Sequence, residues 1–183
     1  MKNKTSLTTI FSATNALKIM SFLADNPGKE FLGSEIQKAT ALSRAGVYIA
    51  LKDLTRLGLA HGDRKGKILL YSIVFDNPVV KQFKILRHVL SLAGTVEKLK
   101  AVSRKVVLFG SASRGEDYPD SDLDLFIVAK DPDAVRSIIA AAKQPRVIQA
   151  IIKTADQLAA FHEAEKVFSG EIAQGTTLWE ERQ

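Results

Sequence analysis

Apolar residues in the first part of the chain recur at three- and four-residue spacing. Leu17, Met20 and Leu23 mark a helix that Ser12 or Thr14 can cap and that Asn26-Pro27-Gly28 ends. Ser34 can cap a short second helix, SEIQKAT, and Ser43 a third, on which Val47, Leu51, Leu54 and Gly58 share one side. Few residues separate these two helices, Ala41 and Leu42 among them, which is a helix-turn-helix spacing. The period then shortens. AHGDRKGKILLYSIV reads as two short strands joined by a turn at Asp63-Arg64-Lys65-Gly66, and Asn77-Pro78 breaks the pattern. A domain boundary is expected there, giving domains of residues 1–78 and 79–183.

The second domain opens with a connector helix over about residues 79–103, interrupted near Gly94-Thr95. KVVLFG then reads as a buried strand, and LDLFIV as a second strand after a loop rich in Gly, Ser and Asp. Residues 133–142 suggest a helix, VIQAII a third strand, residues 155–168 another helix, and GTTLWE a short edge strand. Strands alternating with helices indicate an α/β domain. The whole chain is therefore expected to be an α+β / α/β mix, with three helices and a β-hairpin preceding a small α/β domain.

Composition narrows the chemistry. The 183 residues allow one large or two small domains, and 46% apolar content suits a globular chain. The absence of cysteine excludes disulfides, thiolate metal sites and cysteine nucleophiles. The opening MKNKTSLTTIF has no apolar secretion core and no apolar run reaches a membrane span, so a cytoplasmic protein without membrane association is expected.

The net charge of +6 is unevenly placed: residues 1–80 hold 11 basic and 6 acidic side chains, and residues 81–183 hold 15 and 14. The basic excess thus sits in the first domain, as expected of a part that meets a polyanion. There Arg44, Tyr48, Lys52 and Arg56 recur every four residues, on the side away from Val47, Leu51 and Leu54. Such a stripe can enter the major groove, while Arg64, Lys65 and Lys67 of the hairpin meet phosphates. The plainer alternative is a solvated helix face. Element order and spacing over about residues 12–75 resemble the winged helix-turn-helix domain of bacterial and archaeal transcription regulators. The resemblance implies double-stranded DNA as partner and a homodimer matching paired half-sites; winged-helix domains also serve as protein–protein modules.

The sharpest motif is LFGSASRGEDYPDSDLDLFIV, residues 108–128. A strand ends at Phe109 and runs into Gly110-Ser111, with Gly115 five residues beyond Gly110. Amides and the Ser111 hydroxyl can cradle phosphate there. Asp122 and Asp124 stand two apart at the start of a strand, so their carboxylates share a face about 6–7 Å apart, while Leu123 and Leu125 point the other way. The pair repels itself unless a cation lies between, and oxygen ligands beside phosphate favour Mg²⁺ over Zn²⁺.

Gly110-Ser111, Arg114-Gly115 and Ser121-Asp122-Leu123-Asp124 match the signature of the DNA polymerase beta-like nucleotidyltransferase superfamily. Over about residues 82–180 the chain resembles its minimal nucleotidyltransferases, small stand-alone or antitoxin-type domains. The resemblance implies a nucleotidyltransferase fold with a mixed sheet, Mg²⁺, and a nucleoside triphosphate, ATP foremost, as donor. Gly110 and Ser111 would hold the phosphates, with Arg114, Gly115 and Ser121 alongside. Asp122 and Asp124 would bind Mg²⁺ as the catalytic pair, in transfer of a nucleoside monophosphate to a hydroxyl on a protein, an RNA or a small molecule. The chain departs from the family at the third carboxylate. Its strand is expected at residues 146–152, where the inward middle position is Gln149, which is neither a base nor a good Mg²⁺ ligand.

Two further readings therefore stay open, a non-catalytic nucleotide-sensing or protein-interaction regulator and an antitoxin-like enzyme that modifies a partner protein. Asp156 is expected to cap a helix. His61, His88 and His162 share no metal-ligand spacing and read as surface or interface residues.

Overall fold

Among the described residues Thr14 starts the first helix, α1 (Asn15–Ala24), by accepting the Leu17 amide on its Oγ1. The structure is a computed structural model that describes residues 14–182, apart from the side chains of Ala159 and His162; Ser12 lies outside the described residues. Two units divide the chain, Met1–Lys84 and Ile85–Gln183.

The first unit continues with β1 (Phe31–Leu32), α2 (Gly33–Thr40), α3 (Arg44–Arg56), β2 (Ala60–Lys65) and β3 (Ile68–Ile73). The three strands form an antiparallel sheet in the order β1-β3-β2. Ile19, Leu23, Ile36, Val47, Leu51 and Leu54 close its core. Burying each such side chain stabilises the fold by roughly 1.5–3 kcal/mol.

Three local expectations are corrected. Ser34 does not cap α2: the helix begins one residue earlier, and the Glu35 carboxylate accepts the Leu32 amide at 2.7 Å. The hairpin turn is the pair Gly66-Lys67, with Gly66 at φ +65°. Asp63, Arg64 and Lys65 instead belong to β2, paired with Leu70, Leu69 and Ile68. Gly58 lies past the end of α3 at φ +68°, so it ends that helix rather than extending its apolar side.

The second sheet comprises β4 (Ser103–Phe109), β5 (Leu123–Ala129), β6 (Ile148–Thr154) and β7 (Thr176–Glu180), in the order β6-β5-β4-β7. β5 and β6 run parallel and the other pairs antiparallel, so the sheet is mixed and β7 is an edge. Helix α4 (Pro78–Leu99) contains the division between the units. It runs through Gly94-Thr95 without the expected interruption, since Leu92, Val96 and Leu99 keep its stripe buried and one internal glycine costs only about 1 kcal/mol.

The other helices are α5 (Gly110–Arg114), α6 (Pro132–Ala140), α7 (Ala155–Ala164) and α8 (Lys166–Ala173). The single helix expected over 155–168 is thus broken at Glu165. Thr154, not Asp156, caps α7 through the Gln157 amide. Strand alternation sends Leu108, Leu123, Leu125 and Ile127 to one face, under α4 and α6, and Val107, Phe109, Phe126 and Val128 to the other, under α7 and α8. Among the described residues the protein is a mixed α+β chain with two sheets, and no helix there is long and apolar enough to cross a membrane.

Candidate nucleotide site

Phe109, the last residue of β4, lies opposite Asp124 in the antiparallel register, so the turn that follows β4 is laid against the start of β5. Gly110 makes that turn at φ +68°, and a Cβ there would stand 2.5 Å from Asp124 Oδ2. Only glycine admits both the backbone and the neighbouring carboxylate. Gly115 closes α5 at φ +69°.

Asp122 stands one residue before β5 and Asp124 is its second residue, both half-buried, with Leu123 and Leu125 buried on the opposite face. Gln149 pairs with Asp124 across the parallel β5/β6 ladder, and its Nε2 donates to Asp122 Oδ2 at 2.6 Å. Gly110, Asp122, Asp124 and Gln149 therefore meet at one end of the sheet.

Burial, then the Asp122 charge, then Glu171 push the Asp124 carboxyl above the ordinary carboxylate range. The first two causes follow from the strand start, and Glu171 arrives from α8. A site in which carboxylates crowd one another in this way suits a cation. The donor set fits Mg²⁺, which takes one or two protein carboxylates and fills its octahedron with phosphate oxygens and water. Among the described residues no group of three or more His, Cys, Asp or Glu side chains could hold a metal ion.

The remaining expected phosphate contacts have partners of their own. Arg114 is paired with Glu116 at 3.1 Å and with Glu171 at 3.4 Å, both exposed ion pairs. Ser121 shapes its own loop: its Oγ accepts the Tyr118 amide and its amide donates to the Tyr118 carbonyl. Ser111 is half-buried in α5.

His88 is not a surface residue. Its Nε2 lies 3.1 Å from Asp117 Oδ2, and the Arg146 guanidinium meets the same oxygen at 2.7 Å while donating to the Tyr118 carbonyl. Asp117 is only 4% exposed. This cluster and Glu171 escape sequence reasoning, because their partners lie far away along the chain.

In the first unit Arg44, Tyr48, Lys52 and Arg56 are all exposed along α3, opposite the buried Val47, Leu51 and Leu54. Arg56 bonds Asp53 at 2.9 Å and Lys65 bonds Glu30 at 2.5 Å. Arg64 and Lys67 are exposed. As consecutive residues of β2, Arg64 and Lys65 address opposite faces of the sheet, so the hairpin does not present its basic residues as one patch.

Residues 92–183 match the family model described as polymerase beta, nucleotidyltransferase. No curated protein matches the chain. Among solved structures, that of TrmBL2, an archaeal chromatin protein that shows a novel mode of DNA binding, is similar over 86% of this chain and 70% of that one. Its identity of 13% and TM-score of 0.32 carry no argument about this chain.

Proposed function

The chain belongs to the polymerase beta nucleotidyltransferase family, and from that premise we propose a DNA-binding transcription regulator whose second domain uses a nucleoside triphosphate. In this reading residues 1–78 form a winged helix and residues 79–183 bind triphosphate with Mg²⁺ and transfer the nucleoside monophosphate to a hydroxyl acceptor. The carrying observation is the meeting of Gly110 with the Asp122–Asp124 pair, where the turn leaves no room for a Cβ beside the carboxylate.

Asp122 and Asp124 would hold Mg²⁺, which when bound neutralises triphosphate charge. Gly110 and Ser111 would bind the phosphates, with Arg114, Gly115 and Ser121 beside them. The transfer joins the acceptor oxygen to the α-phosphorus as its bond to the bridging oxygen breaks, pyrophosphate leaves, and the hydroxyl proton passes to water. Helices α1, α2 and α3 beside a small antiparallel sheet whose β2–β3 hairpin follows α3, with an exposed Arg44/Tyr48/Lys52/Arg56 stripe, support duplex DNA as the partner of the first domain.

Incubation with labelled ATP, GTP, CTP or UTP, Mg²⁺ and a cell lysate tests the transfer. Label is expected on a macromolecule or small acceptor with the native chain and not with Asp122→Ala/Asp124→Ala. One observation favours a second reading, a nucleotide sensor without catalysis: the position facing the pair is the amide Gln149, already bonded to Asp122. Under that reading triphosphate binds in an Mg²⁺-dependent way and no acceptor is ever labelled.

A further inference from the structure

We infer that Gln149 restricts this site to a single divalent cation. The inference rests on the proposed reading of Asp122 and Asp124 as cation ligands and adds a count and a cause to it.

Gln149 is the register partner of Asp124 on the neighbouring parallel strand, and adjacent strands lie about 4.8 Å apart. A third ligand shared with the pair from β6 would have to come from this position. An amide stands there, and its Nε2 reaches Asp122 Oδ2 at 2.6 Å. It adds no negative charge, and its N–H occupies one carboxylate oxygen of Asp122.

Two-metal sites hold their ions about 3.5–4 Å apart, and without a bound triphosphate the charge that offsets two divalent ions has to come from the protein's carboxylates. Asp122 and Asp124 supply two negative charges. The nearby Glu171 is engaged with the Arg114 guanidinium at 3.4 Å. The amide gives Asp122 a hydrogen-bond donor from the neighbouring strand. One ion satisfies the two carboxylates, and a second would find an N–H where it needs an oxygen.

The test is a Mn²⁺ titration of the full-length chain, followed by the paramagnetic resonance signal of free Mn²⁺, with Asp122→Asn/Asp124→Asn as the blank for surface acids. The native chain is expected to bind one Mn²⁺ above that blank. Gln149→Glu is expected to bind two, the second within about tenfold of the first in affinity, as a third carboxylate completes the shared set. Gln149→Ala frees the Asp122 oxygen without adding charge and is expected to keep one. Circular dichroism melts identify any variant that is unfolded, and the native count stands independently of them.

Two ions on the native chain, or a folded Gln149→Glu that binds only one, overturns the role of Gln149 while leaving the carboxylate pair a cation site. No ion above the blank on the native chain overturns the cation reading itself, and the count falls with it.

Discussion

A methyl group at residue 110 would meet Asp124 Oδ2 at 2.5 Å, on a backbone already at φ +68°. Gly110→Ala therefore combines left-handed backbone strain of about 1–2 kcal/mol with overpacking against a carboxylate of about 1–3 kcal/mol. Urea denaturation of the variant is expected to show a loss of roughly 2–5 kcal/mol, and a loss under about 0.5 kcal/mol would mean that the turn is not built as described. Asp124 itself is held at a cost. Its folded pKa is raised by burial, Asp122 and Glu171, so the penalty is absent below the unfolded pKa of about 4 and appears as pH rises through the raised folded value. Asp124→Asn is accordingly expected to melt higher than the native chain at pH 7, with the gap closing in acid. Added Mg²⁺ should raise the melting temperature of the native chain and leave the variant unmoved, since only a ligand bound to the folded state stabilises it. Equal melting of the two proteins at pH 7 would remove electrostatic strain as a property of this site.

At the scale of elements, Asp117 joins the loop before β5 on which it sits to the segment before β6 through Arg146, with His88 Nε2 of α4 placed 3.1 Å from the same carboxylate oxygen. The loop leads to Asp122 and the segment leads to Gln149. Asp117→Ala leaves the Arg146 charge largely buried without that carboxylate, a change that costs about 3–5 kcal/mol. Asp117→Ala/Arg146→Met is expected to recover much of the loss, and chemical denaturation of both variants decides between a buried pair and a packing defect. This strut was invisible in the sequence, as was the Arg114–Glu171 pair, because the partners stand 29 and 57 residues apart and no local period links them. The two-residue β1 is too short to show an alternation, and the continuous apolar pattern of 155–168 hides the break at Glu165. What could be read was what short-range geometry dictates. Asp122 and Asp124 share a face because strand residues alternate, whereas Gln149, expected in mid-strand, is the second residue of β6 and meets them there as the register partner of Asp124.

At the scale of the whole molecule, the +6 charge is nearly all carried by residues 1–80, while Asp122 and Asp124 lie in the almost neutral remainder. The first unit and the second have separate buried cores, so surface charge in one can be altered with little effect on the packing of the other. Arg44, Lys52 and Arg56 are exposed, and the Arg56–Asp53 ion pair is worth only about 0.3–0.5 kcal/mol. Alanine at all three should leave the melting temperature within a few degrees of native. If α3 lies against phosphates, the same change lowers duplex affinity and flattens the slope of log K against log salt by up to about 2.7, near 0.9 for each phosphate that α3 no longer neutralises. In the hairpin, Arg64→Ala is expected to weaken binding more than Lys65→Ala, because Glu30 already balances Lys65 at 2.5 Å and the two side chains address opposite faces. Fluorescence anisotropy of a labelled duplex between 50 and 200 mM salt, a range over which binding through several phosphates changes by orders of magnitude, measures both effects. A triple variant that keeps the native slope would return the stripe to a solvated helix face, and the basic excess of the first domain would then need another polyanion.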